Sequence, residues 1–350
     1  MRPAIPASAI DMPGLVRETF TGYHHVTYVL PWEGRLWVKC REPREEILWF
    51  DRRCFNSEEE LLRALRQLDT VCVPDIVGIG GTPFQRFIEG RTVGDRRWWS
   101  SRRVPDAIFD QLAHLFREMV QIKPNMLKAE RRCDTEDRPE GGDTDGFLER
   151  LIVFMEEKVY DRNRAAFEDL FQELGVGDDS FAQLRKRVLG LTERPFCLLH
   201  ADLHPKNLII DAGGQLWAID WELAMLGDPL YDLATHLYLM RYPAGQGERM
   251  VQEWCRVVEG VSPGSSRGWE RDLSRILDFK RAQSVFTDVI RESKQLGMRP
   301  GLSWVELVRA AGKLHRILSA AAEPLGLTDN VPSRTGIAEA LSRWHERHRA

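Results

Sequence analysis

The sequence of 350 residues lacks any long apolar run; its densest stretch, Leu151-Ile152-Val153-Phe154-Met155, sits inside a charged segment and is far short of the roughly 20 apolar residues of a membrane span. It also lacks an excess of charge of either sign. Lys and Arg number 49 and Asp and Glu 53, a formal net charge of -4, which removes the chain-wide basic surplus of a nucleic-acid coat or a polybasic membrane binder. Cysteine is sparse and unpaired in pattern: Cys40, Cys54, Cys72, Cys133, Cys197 and Cys255 form no C-x-x-C, so neither a disulfide scaffold nor a zinc ribbon is expected, and the thiols are expected to be reduced. The opening residues MRPAIPASAIDMPG contain no signal-peptide core, so export is not expected. These absences predict a cytoplasmic protein with no membrane and no nucleic-acid partner. No internal repeat is present.

What the chain does have is the composition of a folded protein, 43% hydrophobic and 9% aromatic, with length for about two domains. The division is expected near residue 90, giving a small domain over 1–89 and a larger one over 90–350. In the first, Val26-Thr27-Tyr28-Val29-Leu30 and Arg35-Leu36-Trp37-Val38-Lys39-Cys40 predict a hairpin around Pro31-Trp32-Glu33-Gly34. Asn56 or Ser57 caps a helix whose first turn is Glu58-Glu59-Glu60 and whose apolar stripe is Leu61, Leu62, Leu65 and Leu68. A second hairpin follows over 74–79 and 82–87, turning at Gly80-Gly81.

Beyond Gly90 the period changes to 3.6, predicting helices near 105–121, 145–160, 179–191, 247–259, 268–295, 303–322 and 335–348. The polar, Gly-rich segment 135–146 is expected to be a mobile surface loop. Short strands are expected at Phe196–Leu199, Asn207–Ile210 and Leu216–Asp220, the last two joined by the turn Asp211-Ala212-Gly213-Gly214. That hairpin gathers three polar motifs: His200-Ala201-Asp202-Leu203-His204-Pro205-Lys206-Asn207, then Ile219-Asp220-Trp221-Glu222, then Gly227-Asp228-Pro229-Leu230-Tyr231-Asp232-Leu233-Ala234.

Together and in this order, H-x-D-x-x-x-x-N, I-D-W and G-D-P-x-x-D-L-A resemble the aminoglycoside phosphotransferase and choline kinase group of kinase-like small-molecule phosphotransferases. Phosphoryl transfer needs a carboxylate to orient and deprotonate a hydroxyl, and oxygen ligands to hold Mg²⁺ on nucleotide phosphates. Asp202 is the candidate base, Asn207 and Asp220 the candidate metal ligands, and His200 a loop prop. An isolated Asp or Asn here would more often be a turn former. His200, Asp202 and His204 also invite a zinc site, but Pro205 puts them on a loop and no further His or Cys completes a shell.

The resemblance implies a two-lobed α+β fold, with an antiparallel sheet and one helix in the N-lobe and a mainly helical C-lobe. It places the phosphate-contacting lysine at Lys39, whose carboxylate partner should come from the capped helix; helical geometry favours Glu58, the acid on the face of Leu62 and Leu65. It likens Gln85–Gly90 to a hinge that binds adenine through backbone groups, with Arg86 and Ile88 the candidates, and makes Asp232 a support for the loops. Asp228 reads as a helix N-cap followed by proline. No G-x-G-x-x-G precedes Lys39; only Gly22 stands in Thr21-Gly22-Tyr23-His24.

The implied activity is transfer of the γ-phosphate of ATP, with GTP an open alternative, to a hydroxyl of a small molecule, an antibiotic or related natural product first. A metabolite kinase of the choline or homoserine type comes second. A protein kinase is disfavoured because Trp221-Glu222 replaces the Gly-bearing metal motif and no Ala-Pro-Glu follows, and a pseudoenzyme because base, metal ligands and lysine are all present. Glu222, Asp278, Asp288 and Glu292 suggest a cationic acceptor, Arg281, Arg291 and Lys294 suggest a solvated helix instead, and Trp98, Trp99, Trp221, Trp254, Trp269 and Trp304 could line a pocket or fill cores. Oligomeric state is left open by the sequence.

Overall fold

The computed structural model describes residues 16–22, 25–32, 36–44, 48–79, 82–94, 103–133, 138–297, 302–327 and 330–348. The chain forms two compact units. One gathers Met1–Leu48, Arg53–Gly141 and Arg194–Ser266, the other Trp49–Arg52, Gly142–Glu193 and Arg267–Ala350.

The first unit opens on a five-stranded antiparallel sheet. Its strands are β1 (Glu18–Thr21), β2 (His25–Trp32), β3 (Leu36–Pro43), β4 (Ile76–Ile79) and β5 (Thr82–Arg86), in the order β1-β2-β3-β5-β4. Both expected hairpins are present; their turns at 33–35 and at Gly80-Gly81 lie outside the described residues. The edge strand β1 was not expected, since four residues of Glu-Thr-Phe-Thr are too few to show a period. Between β3 and β4 runs helix α1 (Glu58–Leu68), whose N-cap Ser57 accepts a bond from the Glu60 amide. Leu61, Leu62 and Leu65 are fully buried, each contributing about 1.5–3 kcal/mol of apolar burial.

A three-stranded sheet, β6-β8-β9, is built from β6 (Gly90–Thr92), β8 (Leu208–Asp211) and β9 (Leu216–Ala218). β6 can lie against β8 because residue 90 is glycine: a Cβ there would fall 2.3 Å from the Ile210 carbonyl oxygen. β7 (Cys197–Leu199) pairs instead with β10 (Met225–Gly227), a strand the sequence did not announce because its residues are apolar throughout and have no period. Helices α2 (Asp106–Met119), α6 (Pro229–Met240) and α7 (Ala244–Glu259) complete the unit.

The second unit is helical. It contains α3 (Thr144–Phe154), α4 (Arg162–Glu173), α5 (Ser180–Val188), α8 (Trp269–Gly297), α9 (Trp304–Ala320), α10 (Ala322–Leu325) and α11 (Arg334–Arg347). The expected helix at 145–160 is broken up: α3 runs into a π-helical turn over Met155–Asp161, and α4 continues from there. Its start corrects the expected loop, since Asp143 caps α3 by accepting from the Gly146 amide and Thr144 is buried; residues 135–137 lie outside the described set. No helix among the described residues is long and apolar enough to cross a membrane.

Candidate active site

Every candidate site residue falls in the first unit. The turn between β7 and β8 carries Asp202, and successive backbone bonds coil it: the His204 amide donates to the Asp202 carbonyl and the Asn207 amide to the His204 carbonyl, both at 2.9 Å. The buried Asn207 side chain closes the turn. Its Nδ2 donates to the Asp202 carbonyl at 3.0 Å and to Asp202 Oδ2 at 2.9 Å, which fixes the carboxylate and makes Oδ1 the oxygen the amide can offer elsewhere.

His204 joins this arrangement, where the sequence had suggested only a zinc ligand. Its Nδ1 accepts from the Lys206 amide at 3.1 Å, so the ring proton belongs on Nε2, which lies 3.5 Å from Asp202 Oδ2. Among the described residues, no group of three or more His, Cys, Asp and Glu is placed to hold a metal ion.

Helix α6 holds the turn from behind, by a stripe of polar residues at i, i+4 and i+8 that is almost wholly buried. Asp228 caps the helix through the Leu230 amide and receives a two-pronged bond from Arg194, at 2.7–3.0 Å, with both side chains inaccessible. Asp232 accepts the amides of His200 at 3.1 Å and Ala201 at 2.7 Å. The second bond helps keep Ala201 at a φ of 62°, a left-handed conformation costly for a residue with a Cβ. His236 donates from Nδ1 to the Leu203 carbonyl, so its Nε2 accepts from the Tyr242 hydroxyl, both at 2.9 Å. Arg194 and His236 were missed from sequence; the four-residue step from Asp232 to His236 was the available signal.

His200 is fully buried, with Nε2 3.1 Å from the Ile219 carbonyl and its ring 4.5 Å from that of Trp221. It thereby couples the Asp202 turn to the strand that ends in Asp220. Burial lowers the pKa of His200 and of His236 to about 4 in each case, so both are neutral at pH 7.

Asp220 follows β9 with φ 67° and ψ 63°, turning the chain so that the next amide, Trp221 N–H, donates to Glu58 Oε1 at 2.9 Å. Of the three acids at the start of α1, Glu58 is buried, Glu59 partly buried and Glu60 exposed. The cation beside them corrects the expected pairing. Among the described residues Arg41, not Lys39, makes the ion pairs: its guanidinium meets Glu58 Oε2, lies 3.5 Å from Glu59 Oε1, and donates to Asp220 Oδ1 at 3.2 Å. The side-chain period of a strand puts Lys39 and Arg41 on one face of β3, and the planar, forked guanidinium of Arg41 reaches both Glu58 and Asp220.

Charges are balanced across this cluster. Burial alone would raise the Asp220 carboxyl, but Arg41 and then Lys39 hold it below the ordinary aspartate value. Burial, helped by Arg41, lowers Lys39 to about 8.

Lys39, Arg41 and Asp220 line a cavity of about 690 Å³, together with Ile88, Lys206 and Ile209. Phe20 and Phe87 stack at a centroid distance of 6.1 Å on its wall. The expected hinge lies there too, with one restriction: the Arg86 amide is already spent on the Asp75 carbonyl at 2.7 Å and the Phe87 amide on the Trp37 carbonyl at 2.8 Å. Arg86 can therefore offer a ligand its carbonyl but not its N–H, while the Ile88 amide two residues on faces the same side of an extended chain.

The acidic residues of α8 do not form an open anionic surface. In the second unit Asp278 is held by Arg187 at 2.7 Å and Arg281 at 2.5 Å, and Asp288 and Glu292 share Lys313 at 2.9 and 2.6 Å. Their charge is spent within that unit. Trp221 and Trp254 are buried core residues and Trp304 is 70% exposed; Trp98 and Trp99 lie outside the described residues.

Comparison with known structures finds the same fold in a choline/ethanolamine kinase family protein from Mesorhizobium loti, with 16% identity over 97% of this chain and 96% of that one and a TM-score of 0.51. A protein provisionally assigned as an aminoglycoside phosphotransferase from Ralstonia eutropha gives 15% identity over 97% and 98% and a TM-score of 0.55. No curated protein sequence matches significantly. The α+β architecture, an antiparallel N-terminal sheet followed by a helical C-terminal part, is thus that of the kinase-like phosphotransferases. The family model for the phosphotransferase enzymes matches residues 21–271, which span strands β2 to β5, Arg41, Glu58, the Asp202 turn, Asp220 and α6 alike, and the chain belongs to that phosphotransferase enzyme family.

Proposed function

We propose that the protein transfers the γ-phosphate of ATP to a hydroxyl group of a small molecule. The observation that carries this is the Asp202 carboxylate, fixed by Asn207 and facing His204, in the same unit as Asp220 and a cavity lined by Lys39, Arg41 and Lys206. Three cations lining one cavity suit a triphosphate. The apolar part of the cavity, with Ile88, Ile209 and the Arg86 carbonyl, suits a flat base, adenine first and guanine as the alternative.

Asp202 is the proposed base. It accepts the acceptor hydroxyl's proton as the oxygen attacks the γ-phosphorus and the bond to the β-phosphate oxygen breaks, yielding ADP and a phosphate monoester. Asn207 holds the carboxylate toward the hydroxyl, and His204 stabilises its charge without taking the proton. Asp220 and the Asn207 amide oxygen are hard oxygen donors of the kind Mg²⁺ selects, and both are anchored, one through its left-handed turn and Arg41, the other through Asp202. These two residues would hold Mg²⁺, which when bound neutralises phosphate charge. Lys39 and Arg41 contribute positive charge, and Glu58 sets the position of Arg41 and, through the Trp221 amide, of Asp220. Residues 1–89 are the proposed nucleotide lobe, and the acceptor is bound by residues from the 90–350 part.

An antibiotic or related natural product is the preferred acceptor, with a metabolite of the choline or homoserine type second. The internal pairing of Asp278, Asp288 and Glu292 removes one argument for a cationic acceptor and so gives no preference to a choline-like amine. A screen of MgATP with antibiotics, amino alcohols and protein substrates, read as acceptor-dependent ADP release, tests this. Release dependent on a small hydroxyl compound is expected; transfer to protein substrates alone would reject the proposal.

A further inference from the structure

Cys54 and Cys133 are far apart in sequence but adjacent in the first unit. Phe55 and Arg131 form an antiparallel bridge; the Arg132 amide donates to the Cys54 carbonyl at 2.9 Å and the Asn56 amide to the Glu130 carbonyl at 3.1 Å. In this register Cys54 faces Arg132, and the chain bends at Arg132 and Cys133. Arg138 holds the Cys133 carbonyl at 2.8 Å. The bend brings the two thiols into a hydrogen bond with one another. Directly opposite residues of an antiparallel pair have Cα atoms about 4.5–5.5 Å apart, and Cys133 follows the residue opposite Cys54, close to the separation a disulfide spans. Both residues are partly accessible, whereas Cys40 and Cys197 are buried.

From this juxtaposition we infer that Cys54 and Cys133 are a redox modification site, oxidised reversibly to a disulfide by a peroxide. The two thiols have unequal roles. The hydrogen bond to Cys133, followed by burial, raises the Cys54 thiol, while Arg131 beside it acts in the opposite direction, and we assign Cys133, next to the bend, as the attacking sulfur. The Cys133 thiolate attacks one peroxide oxygen, the O–O bond breaks, and hydroxide leaves, giving a sulfenic acid. Cys54 then displaces its hydroxyl; the S–S bond forms and the thiol proton leaves with the hydroxide as water. Two thiols and one hydrogen peroxide give one disulfide and two waters.

The link has a structural consequence that the other cysteines do not offer. Cys54 also accepts from the Leu226 amide in β10, and it stands three residues before Ser57, the cap of the helix that carries Glu58. The disulfide ties the approach to α1 to the loop after α2, closing a long loop in the unfolded chain.

The test uses the full-length protein, exposed to about one equivalent of hydrogen peroxide, alkylated, digested and mapped by mass spectrometry. A peptide pair joining Cys54 to Cys133, lost on treatment with dithiothreitol, is expected. In C54S the Cys133 sulfenic acid should accumulate and be trapped by dimedone, while in C133S neither link nor adduct should appear at residue 54. The cross-linked protein should also show a higher thermal midpoint than the reduced one. Preferential oxidation of Cys72 or Cys255, absence of the linked peptide in a protein that keeps its native circular dichroism, or a lowered midpoint on cross-linking would overturn the inference.

Discussion

Replacing Arg41 by alanine tests how the nucleotide side of the site is held together. In the folded protein the guanidinium is 14% exposed and the Glu58 side chain 2%, so removal leaves a carboxylate with no access to water and one remaining donor, the Trp221 amide. Breaking a buried pair from one side costs about 3–5 kcal/mol, whereas an exposed pair costs about 0–1. The loss expected for R41A is therefore about 3 kcal/mol of unfolding free energy, near the lower end because Asp220, the other partner, is more exposed. R41K keeps the charge but loses the forked donor geometry that serves Glu58 and Asp220, and it should fall between R41A and the parent. Urea unfolding of R41A, E58Q and the double variant forms a thermodynamic cycle. The two losses should fail to add by more than about 1 kcal/mol, and MgATP affinity should fall in both single variants. Additivity within about 0.5 kcal/mol, or a K39A variant that shows the coupling to Glu58 instead, would refute the assignment of the pair to Arg41.

Asp220→Ala is expected to abolish Mg²⁺-dependent ATP binding measured calorimetrically, because it removes a metal donor; unchanged affinity would move the metal elsewhere. Asp232→Ala strands two buried amides, at about 1–3 kcal/mol each, and relaxes Ala201, so both unfolding free energy and kcat should drop while Asp232→Asn, which keeps one acceptor, drops less. For His200 and His236 the folded pKa is about 4 against an ordinary 6.5, so between those values the unfolded chain binds protons the native one does not, and stability falls as pH falls, by up to about 2.7 kcal/mol per pH unit for the two together. Imidazole NMR signals of both residues should stay in the neutral position at pH 5.5; titration near 6.5 would contradict their burial. Lys39 carries the same sign in a higher pH window: with its pKa lowered to about 8, stability should rise with pH between about 8 and 10.5, and the K39M variant should lose that rise.

Much of the site was legible in the sequence because its parts lie close together along the chain. Asp202 and Asn207 share one turn, Asp220 follows the second strand of the hairpin after it, and Asp228 and Asp232 begin the next long helix. The α1 cap, its buried leucines and both hairpins follow from local chemistry in the same way. Contacts between distant segments were not legible. The ion pair of Arg41 with Glu58 depends on which of two cations on one strand face reaches α1, and Arg194 is a lone arginine until the fold sets it against Asp228. Strand β10 and its pairing with β7 carry no alternation, being buried throughout, and the π turn at 155–161 inserts itself where the 3.6 period looked continuous. The thiol contact of Cys54 and Cys133 likewise arises from a bridge between segments on either side of the second hairpin and α2.

In the proposed reaction the Asp202 carboxylate accepts the proton of a small-molecule hydroxyl during transfer from ATP. Its most direct measurement uses [γ-³²P]ATP, Mg²⁺ and the best acceptor from the screen, comparing the parent with D202N in both label transfer and nucleotide affinity. Labelled phosphate monoester is expected from the parent, with a rate about 10²–10⁴-fold lower in D202N and nearly equal MgATP affinity in the two. Equal turnover in D202N, with the fold and nucleotide binding intact, would contradict it.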